Sequence, residues 1–256
     1  MLFRSLLASI GSLTQFDSSG VTNGSDFSNG GSSIGSIALS STSVLSIYAK
    51  SGGTYAIVAT ISGSTITYGS PTLISSFAGT FGATGLTSTT AMVWSQRSGS
   101  STMPTVYGLT VSGTSITVST ASAQIGSYYG YLVSISKLNT TDVLIGYYAD
   151  AGATTYGFRT ATHNGASAPT LGTVSSTIAA ANTYTNYVPL VSVPLTSTTT
   201  LIAYDGPSSG GYYTTARVVT TSGSSAPTLG TASTTTYSGG AGGTTGASVI
   251  PYSSTE

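Results

Sequence analysis

Side chains that could carry out acid–base or nucleophilic chemistry are few in this sequence. The chain of 256 residues has one histidine, His163, and no cysteine. His163 stands beside the turn dipeptide Asn164-Gly165, with no carboxylate near it in that part of the sequence. A catalytic histidine needs a nucleophile or an orienting acid within hydrogen-bond reach. We therefore interpret His163 as a residue of a solvated turn.

The acidic residues are equally sparse. Glycoside hydrolysis needs two carboxylates at a defined separation, and only Asp150 and Asp205 are predicted to approach each other, with nothing nearby to turn one into a general acid. The oxygen-rich run from Asp17 to Asp26 does not match an EF-hand loop. The glycine-rich residues 238–243 lack the lysine of a phosphate-binding loop. We therefore expect no enzymatic activity, no metal site and no cofactor.

Charge composition excludes other classes of protein. Six basic and six acidic residues give a formal net charge of zero. Binding to nucleic acid depends on many lysines and arginines that neutralise phosphates, so we expect no nucleic-acid partner. No apolar run approaches the ~20 residues of a membrane-spanning helix, so we expect no membrane insertion.

Aromatic side chains are the best candidates for binding. Tyrosine and tryptophan combine a flat apolar surface with a hydrogen-bonding tip, as in antibody paratopes and sugar-binding surfaces. The candidate ligand-binding residues are Tyr128, Tyr129, Tyr184, Tyr187, Tyr212, Tyr213, Tyr237 and Trp94. The alternative is that many aromatic residues, among them Tyr48, Tyr147 and Tyr204, cap the core. Arg159 and Arg217 occupy equivalent positions and are interpreted either as outward-facing strand residues or as ligand contacts.

The elements that must position these residues form a repeat. One hairpin pattern recurs around the dipeptides Ser62-Gly63, Ser112-Gly113, Asn164-Gly165 and Ser222-Gly223. A second pattern, a leucine followed by Ser, Thr or Asn residues, begins at Leu39, Leu86, Leu138 and Leu195, and Tyr252 opens a fifth copy. Glycine in a tight hairpin supplies the positive φ that the turn requires. Spacings near fifty residues indicate a repeat protein.

Each repeat is predicted to hold four strands. In the third repeat they cover residues 131–137, 142–148, 155–162 and 168–175, with the most continuously apolar strand second. Units of ~40–50 residues with four antiparallel strands are typical of β-propeller blades. The predicted fold is all-β, a propeller of about five four-stranded antiparallel blades.

The predicted organisation follows from these units. Residues 1–33 form an N-terminal strand and loop, and residues 34–246 form four blades, about 34–81, 82–130, 131–190 and 191–246. Residues 247–256 supply the first strand of a closing blade. Joining both ends would close the ring with a composite blade and so remove exposed sheet edges. A thin fifth blade, completion by another chain and a longer protein remain open.

Length variation is confined to one side of the predicted blades. The turns between first and second strands, and between third and fourth, are nearly constant, whereas the other connections vary in length. Variable loops on a rigid scaffold are where binding usually resides. We therefore expect any binding site to lie on that side.

The repeat resembles one found in phage tail fibres and other virion-associated proteins. The resemblance rests on Val44-Leu45-Ser46-Ile47-Tyr48, followed by residues 62–71, and covers most of residues 34–238. It implies a propeller used for attachment or virion architecture, without catalytic residues. The expected function is a non-enzymatic virion protein, a tail fibre or other surface component, that binds a host glycan or receptor through Tyr-rich loops.

Two alternatives remain open. One is a purely structural virion protein, such as a capsid decoration or tail component, whose loops contact other virion subunits. The other is a secreted lectin-like binding module. In each case we expect a virion or extracellular location and a homo-oligomer or larger assembly.

Overall fold

A computed structural model describes residues 34–50, 52–97, 104–126, 132–150, 155–179, 190–206 and 213–236. These residues form an all-β structure of four antiparallel sheets, and none of them is helical. Among them, no helix long and apolar enough to cross a membrane occurs. The predictions for residues 1–33 and 247–256 lie outside the described residues.

The strands follow the chain order within every sheet. Sheet 1 contains β1 (Ile34–Ser40), β2 (Ser43–Lys50), β3 (Gly53–Ser62), β4 (Thr65–Tyr68) and β5 (Thr72–Ser75). Sheet 2 contains β6 (Gly79–Gly85), β7 (Thr90–Arg97), β8 (Thr105–Ser112) and β9 (Ser115–Val118). Sheet 3 contains β10 (Leu132–Lys137), β11 (Asp142–Tyr148), β12 (Thr155–Asn164), β13 (Ser167–Leu171) and β14 (Ile178–Ala179). Sheet 4 contains β15 (Val191–Pro194), β16 (Thr199–Gly206), β17 (Tyr213–Thr220), β18 (Thr228–Leu229) and β19 (Ser233–Thr236).

Each sheet is thus the predicted four-stranded meander, with a fourth strand that is interrupted in three cases. The segments β4 and β5 both pair with β3, β13 and β14 both pair with β12, and β18 and β19 both pair with β17. The turns after the first and third strands lie at one end of the sheet, which we call the turn end. The remaining connections leave from the opposite end, which we call the connection end.

Hydroxyl and amide side chains explain the repeated leucine motif. In sheet 2, Thr87 Oγ1 accepts a hydrogen bond from the backbone N–H of Thr89 at 3.1 Å. In sheet 3, Asn139 Oδ1 takes the same role for Thr141 and Asp142, at 2.8 and 2.9 Å. Such side chain–backbone bonds stabilise tight turns, so the motif marks the turn between the first and second strands.

A glycine with a positive φ angle lies in the turn after the third strand of every sheet. The φ angles of Gly63, Gly113, Gly165 and Gly223 are 59°, 59°, 63° and 54°. In sheets 1 to 3 the turn has two residues, as in the pairing of Ser62 with Thr65. Sheet 4 has a wider turn, between Thr220 and Thr228. The predicted hairpins are therefore confirmed, with a longer fourth copy.

Along the outer edges of sheets 2 and 3, the chain advances by three residues for every two on the third strand. In sheet 2, the N–H groups of the fourth-strand segment donate to third-strand carbonyls in the pairs Ser119–Gly108, Ser122–Val106 and Ile125–Pro104. Sheet 3 repeats this in the pairs Gly172–Thr160 and Ser175–Phe158. The extra residue in each step is a bulge, and bulges protect a sheet edge from pairing with another chain.

At these bulges, serine hydroxyls take the place of backbone carbonyls as hydrogen-bond acceptors for N–H groups of the third strand. Ser122 Oγ accepts the N–H of Val106 at 2.9 Å, and Ser175 Oγ accepts the N–H of Phe158 at 3.0 Å. Each hydroxyl then donates to the carbonyl of the next residue in the chain. Because a buried N–H without a partner is costly, these serines make the irregular edge possible.

Three apolar clusters join the sheets in series. Leu45 and Val58 of sheet 1 pack with Val93 and Leu109 of sheet 2. A second cluster joins sheets 2 and 3 and includes Met92, and a third joins sheets 3 and 4 and includes Phe158, Leu190 and Ile202. The first strands also contact in order, β1 with β6, β6 with β10, and β10 with β15. Each described sheet therefore packs face to face on the next.

Candidate ligand-binding surface

The connection end differs from the turn end in its regularity. Turns at the turn end cover residues 41–42, 86–89, 138–141 and 195–198, and 63–64, 113–114, 165–166 and 221–227. Second and third strands are joined at the connection end by residues 51–52, 98–104, 149–154 and 207–212. Successive sheets are joined there by residues 76–78, 119–131 and 180–190. The predicted separation of near-constant turns from variable connections holds in sheets 1 to 3, whereas the longer turn of residues 221–227 in sheet 4 departs from it.

Most candidate tyrosines lie outside the described residues. They are Tyr128, Tyr129, Tyr184, Tyr187, Tyr212 and Tyr237. Of the described strands that flank them in the chain, β10, β14, β17 and β19 reach the connection end. Tyr213 begins β17 at that same end, where its backbone pairs with Gly206 and Thr236.

Trp94 lies in the core between sheets 2 and 3. Its side chain is 5% exposed and packs with Val106 and Tyr147. The indole covers Gly82, where it leaves no room for a Cβ atom. A ligand could reach only the small exposed part of this ring, so Trp94 serves mainly to fill the space between sheets.

Trp94 and the tyrosines near the ends of the other second strands face different neighbouring sheets, and the strand register explains this difference. Trp94 contributes to the face of sheet 2 that meets the following sheet, whereas Tyr147 and Tyr204 face the preceding sheet. Leu86 is eight residues before Trp94, but Leu138 is nine residues before Tyr147. A shift of one residue reverses the face of a strand. Trp94 and Tyr147, each an aromatic residue near the end of a second strand, therefore face opposite neighbours.

The aromatic residues of the second strands are buried. Tyr48, Tyr147, Tyr148 and Tyr204 belong to the core, as the alternative interpretation of this set predicted. In sheet 3, the rings of Tyr148 and Tyr156 stack with centroids 4.9 Å apart. The ring of Tyr204 meets Tyr156 edge-on at 5.6 Å. These tyrosines anchor the ends of the strands from which the connections leave.

Tyr55 and Lys50 form a partly exposed pair at the connection end of sheet 1. Lys50 Nζ lies 4.6 Å from the centre of the Tyr55 ring. That ring stacks on buried Tyr48 at a centroid distance of 5.9 Å. Sequence reasoning missed Tyr55, although pairing of the two strands places it directly opposite Tyr48. The Lys50 ammonium lies over the ring, where the cation–π attraction holds the two side chains together.

Arg159 connects two sheets through backbone carbonyls. Its Nε and Nη2 donate to Gly172 O at 3.0 and 2.7 Å, and its Nη1 donates to Ile125 O at 2.9 Å. Burial lowers the pKa of Arg159, and nearby Tyr147 partly offsets that effect. Burial also raises the pKa of Tyr147, with Arg159 acting in the opposite direction. Arg159 therefore stabilises the junction of sheets 2 and 3.

Arg217 repeats part of this arrangement in sheet 4. Its Nε donates to Tyr204 Oη at 3.0 Å, and its Nη1 donates to Gly230 O at 3.2 Å in an exposed position. Gly230 corresponds to Gly172 in the outer edge. Arg217 is the more accessible of the two guanidinium groups for an external partner.

The remaining ionisable groups are used locally. Asp142 Oδ1 accepts from Thr162 Oγ1 at 2.6 Å, and its Oδ2 accepts from Asn139 Nδ2 at 2.7 Å. His163 lies between sheets 2 and 3 rather than in solvent, because its ring packs on Gly108. The prediction of a solvated turn residue is therefore wrong for His163. Within the described segments, no group of three or more His, Asp or Glu side chains could hold a metal ion.

In comparisons with known proteins, no protein-family model and no curated protein sequence matches the chain. The resemblance to virion-associated repeats therefore stays a prediction.

Proposed function

We propose that this chain is a non-enzymatic virion surface protein, a tail fibre or related component. It binds a host glycan or receptor through the Tyr-rich connections at the connection end. The sheets supply a rigid support, and the connections supply the contacts. Binding of this kind needs shape and aromatic surface rather than placed acids and bases.

The observation that carries this proposal is the contrast between the two ends of the sheets. All four sheets repeat the same hydrogen-bonded turn between their first and second strands, as at Thr87 and Thr196, and sheets 1 to 3 share a two-residue turn after the third strand. The segments that leave the sheets from the connection end differ in length, and their sequences contain most of the candidate tyrosines. Conservation of structure at one end and variation at the other is typical of binding scaffolds.

We propose further that the four sheets are blades of a β-propeller of about five blades. Face-to-face packing in series and contacts between successive first strands support this arrangement. Residues 1–33 and 247–256 would form the composite closing blade. Similar weak sites between blades would favour attachment to repeated surface sugars by avidity.

Binding to a glycan array and to host cells tests the proposed function. The wild-type protein is expected to bind a defined class of surface glycan, with a clustered display preferred over single sugars. Absence of binding to glycans and cells, together with incorporation into particles, would favour the purely structural virion protein. Binding by a protein that is never found in particles would favour the secreted lectin-like module.

A further inference from the structure

Among the described residues, one face of sheet 4 is more exposed than the equivalent faces of the other sheets. The leucine of the repeated turn motif is 9% exposed at Leu39, 1% at Leu86 and 7% at Leu138, but 53% at Leu195. The backbone N–H of Leu86, Leu138 and Leu195 makes the same hydrogen bond in each turn. The difference therefore lies in what packs on the side chain and not in the turn itself.

A second row of residues shows the same contrast. Leu201 and Val218 lie opposite each other in sheet 4. The equivalent pairs are Leu45 with Val58, Met92 with Gly108 and Leu144 with Thr160. Leu45, Val58, Met92 and Leu144 are at most 1% exposed, whereas Val218 is 38% exposed. We call the surface formed by Leu195, Leu201 and Val218 the sheet-4 face.

In the three described junctions, the following sheet covers this position. Gly85 of the next first strand lies against Leu39, since a Cβ on Gly85 would be 3.4 Å from Leu39 Cδ2. At the outer edge, the third-strand turn of sheet 4 docks on sheet 3. Thr160 Oγ1 donates to Gly223 O at 3.1 Å, and the N–H of Thr173 donates to Ser224 O at 2.8 Å.

From this comparison we infer that residues 246–255 of the same chain cover the sheet-4 face, an inference that rests on the propeller proposed above. In this segment, Pro251-Tyr252-Ser253-Ser254-Thr255 corresponds to Pro194-Leu195-Thr196-Ser197-Thr198. Pro251 is then equivalent to Gly85 and lies over Leu195. Val249, equivalent to Ile135, faces sheet 4, and Ser248 faces away.

The chain path supports this occupant. The fourth strands of sheets 1, 3 and 4 end at the connection end, and residues 76–78, 119–131 and 180–190 join each sheet to the next first strand. After sheet 4, residues 237–245 are available for the same step.

The sheet-4 face could instead be covered by sheet 1 of a second copy. Burial of the corresponding face of sheet 1 disfavours this alternative. Tyr48 and Ile57, on the face of sheet 1 that a preceding sheet would meet, are 2% and 1% exposed in the single chain. That face is therefore not available to the sheet-4 face of another copy.

Thiol labelling tests the inference, because the 256 residues contain no cysteine. We expect the thiol of Leu195→Cys to react with a maleimide at least about tenfold more slowly than that of Ser64→Cys, an exposed turn position, because docking protects it. Adding Val249→Asp should remove most of this protection, whereas adding Ser248→Asp should not. Val218→Cys provides an independent probe of the same face if Leu195→Cys fails to fold.

Three results would overturn the inference. They are rapid labelling of both probes in a monomer, protection that depends on protein concentration, and protection that Val249→Asp does not change. Concentration dependence would assign the face to a second copy. Glycan binding is measured separately, so failure of the docking inference and failure of the proposed function can be distinguished.

Discussion

Arg159 and His163 show how the few ionisable residues are used in the junction between sheets 2 and 3. Arg159 donates to carbonyls of both sheets. His163 Nδ1 accepts the N–H of Gly165 at 3.0 Å, so the neutral ring carries its proton on Nε2. Nε2 is buried against Gly108, without a partner at hydrogen-bonding geometry among the described residues. Both side chains therefore serve packing between sheets.

Protonation of His163 should weaken this junction. Burial lowers its pKa below the usual 6.5, and the backbone of Leu109 offsets part of the effect. Lys137 and Arg159 project from the same face of sheet 3, whereas Asp142 faces the other side, bound to Thr162. No charged residue occurs in β8 or β9 of sheet 2. Apart from the backbone of Leu109, none of these groups favours the imidazolium.

The lowered pKa of His163 makes the stability of the folded protein depend on pH. The unfolded chain takes up a proton at a higher pH than the folded one, so stability is lost as the pH falls below 6.5 towards the folded pKa. We expect the free energy of unfolding, measured with urea, to fall between about pH 7.5 and about pH 5.5. His163→Gln should reduce that difference. An equal difference in the variant would mean that other groups cause it.

Replacement of Arg159 should be more costly than replacement of Arg217. Lysine cannot reproduce the fork that binds both Gly172 O and Ile125 O. We expect Arg159→Lys to lower the free energy of unfolding by roughly 1–3 kcal/mol, because buried carbonyls lose their donors. Arg217→Lys is the matched control and should cost less, since its bond to Gly230 O is exposed. Equal losses would contradict the role given to Arg159.

At the scale of elements, the three-residue steps of the outer edge depend on serine. The hydroxyl of Ser175 is the acceptor for the buried N–H of Phe158. We expect Ser175→Ala to destabilise the protein by roughly 1–3 kcal/mol, because that N–H loses its partner. Ser176→Ala, at the exposed neighbouring position, should change the unfolding midpoint little. Comparable midpoints for the two variants would show that the hydroxyl is not needed.

The strands and turns were predictable because their signals are local. Alternating apolar residues and the repeated glycine turns predict the four-stranded meander, and β11 has the predicted bounds. The interrupted fourth strand was not predictable, because a serine hydroxyl that replaces a carbonyl leaves no periodic pattern. The burial of Trp94, a candidate binding residue, was not predictable, because one residue fewer before it in sheet 2 turns it to the face that packs on sheet 3. The packing of His163 on Gly108 depends on contact between repeats, which no local pattern reports.

At the scale of the whole molecule, the two ends of the sheets have separate roles. The turn end holds the repeats in register, and turns such as residues 223–224 join successive sheets. The connection end is free to vary, because its segments join strands whose ends the buried tyrosines anchor. The proposed function assigns binding to that end alone.

Paired substitutions at the two ends provide the most direct test of this claim. Affinity for the glycan or host surface identified by the array would be measured for Tyr184→Ala and Tyr187→Ala, with Ser64→Ala and Ser115→Ala at the turn end as controls. We expect each tyrosine change to weaken binding about tenfold or more, because truncation of an aromatic contact residue typically costs over 1 kcal/mol. The turn-end variants should bind as the wild type does. Unchanged affinity in both tyrosine variants, or loss of binding in the turn-end variants while the fold is intact, would contradict the account.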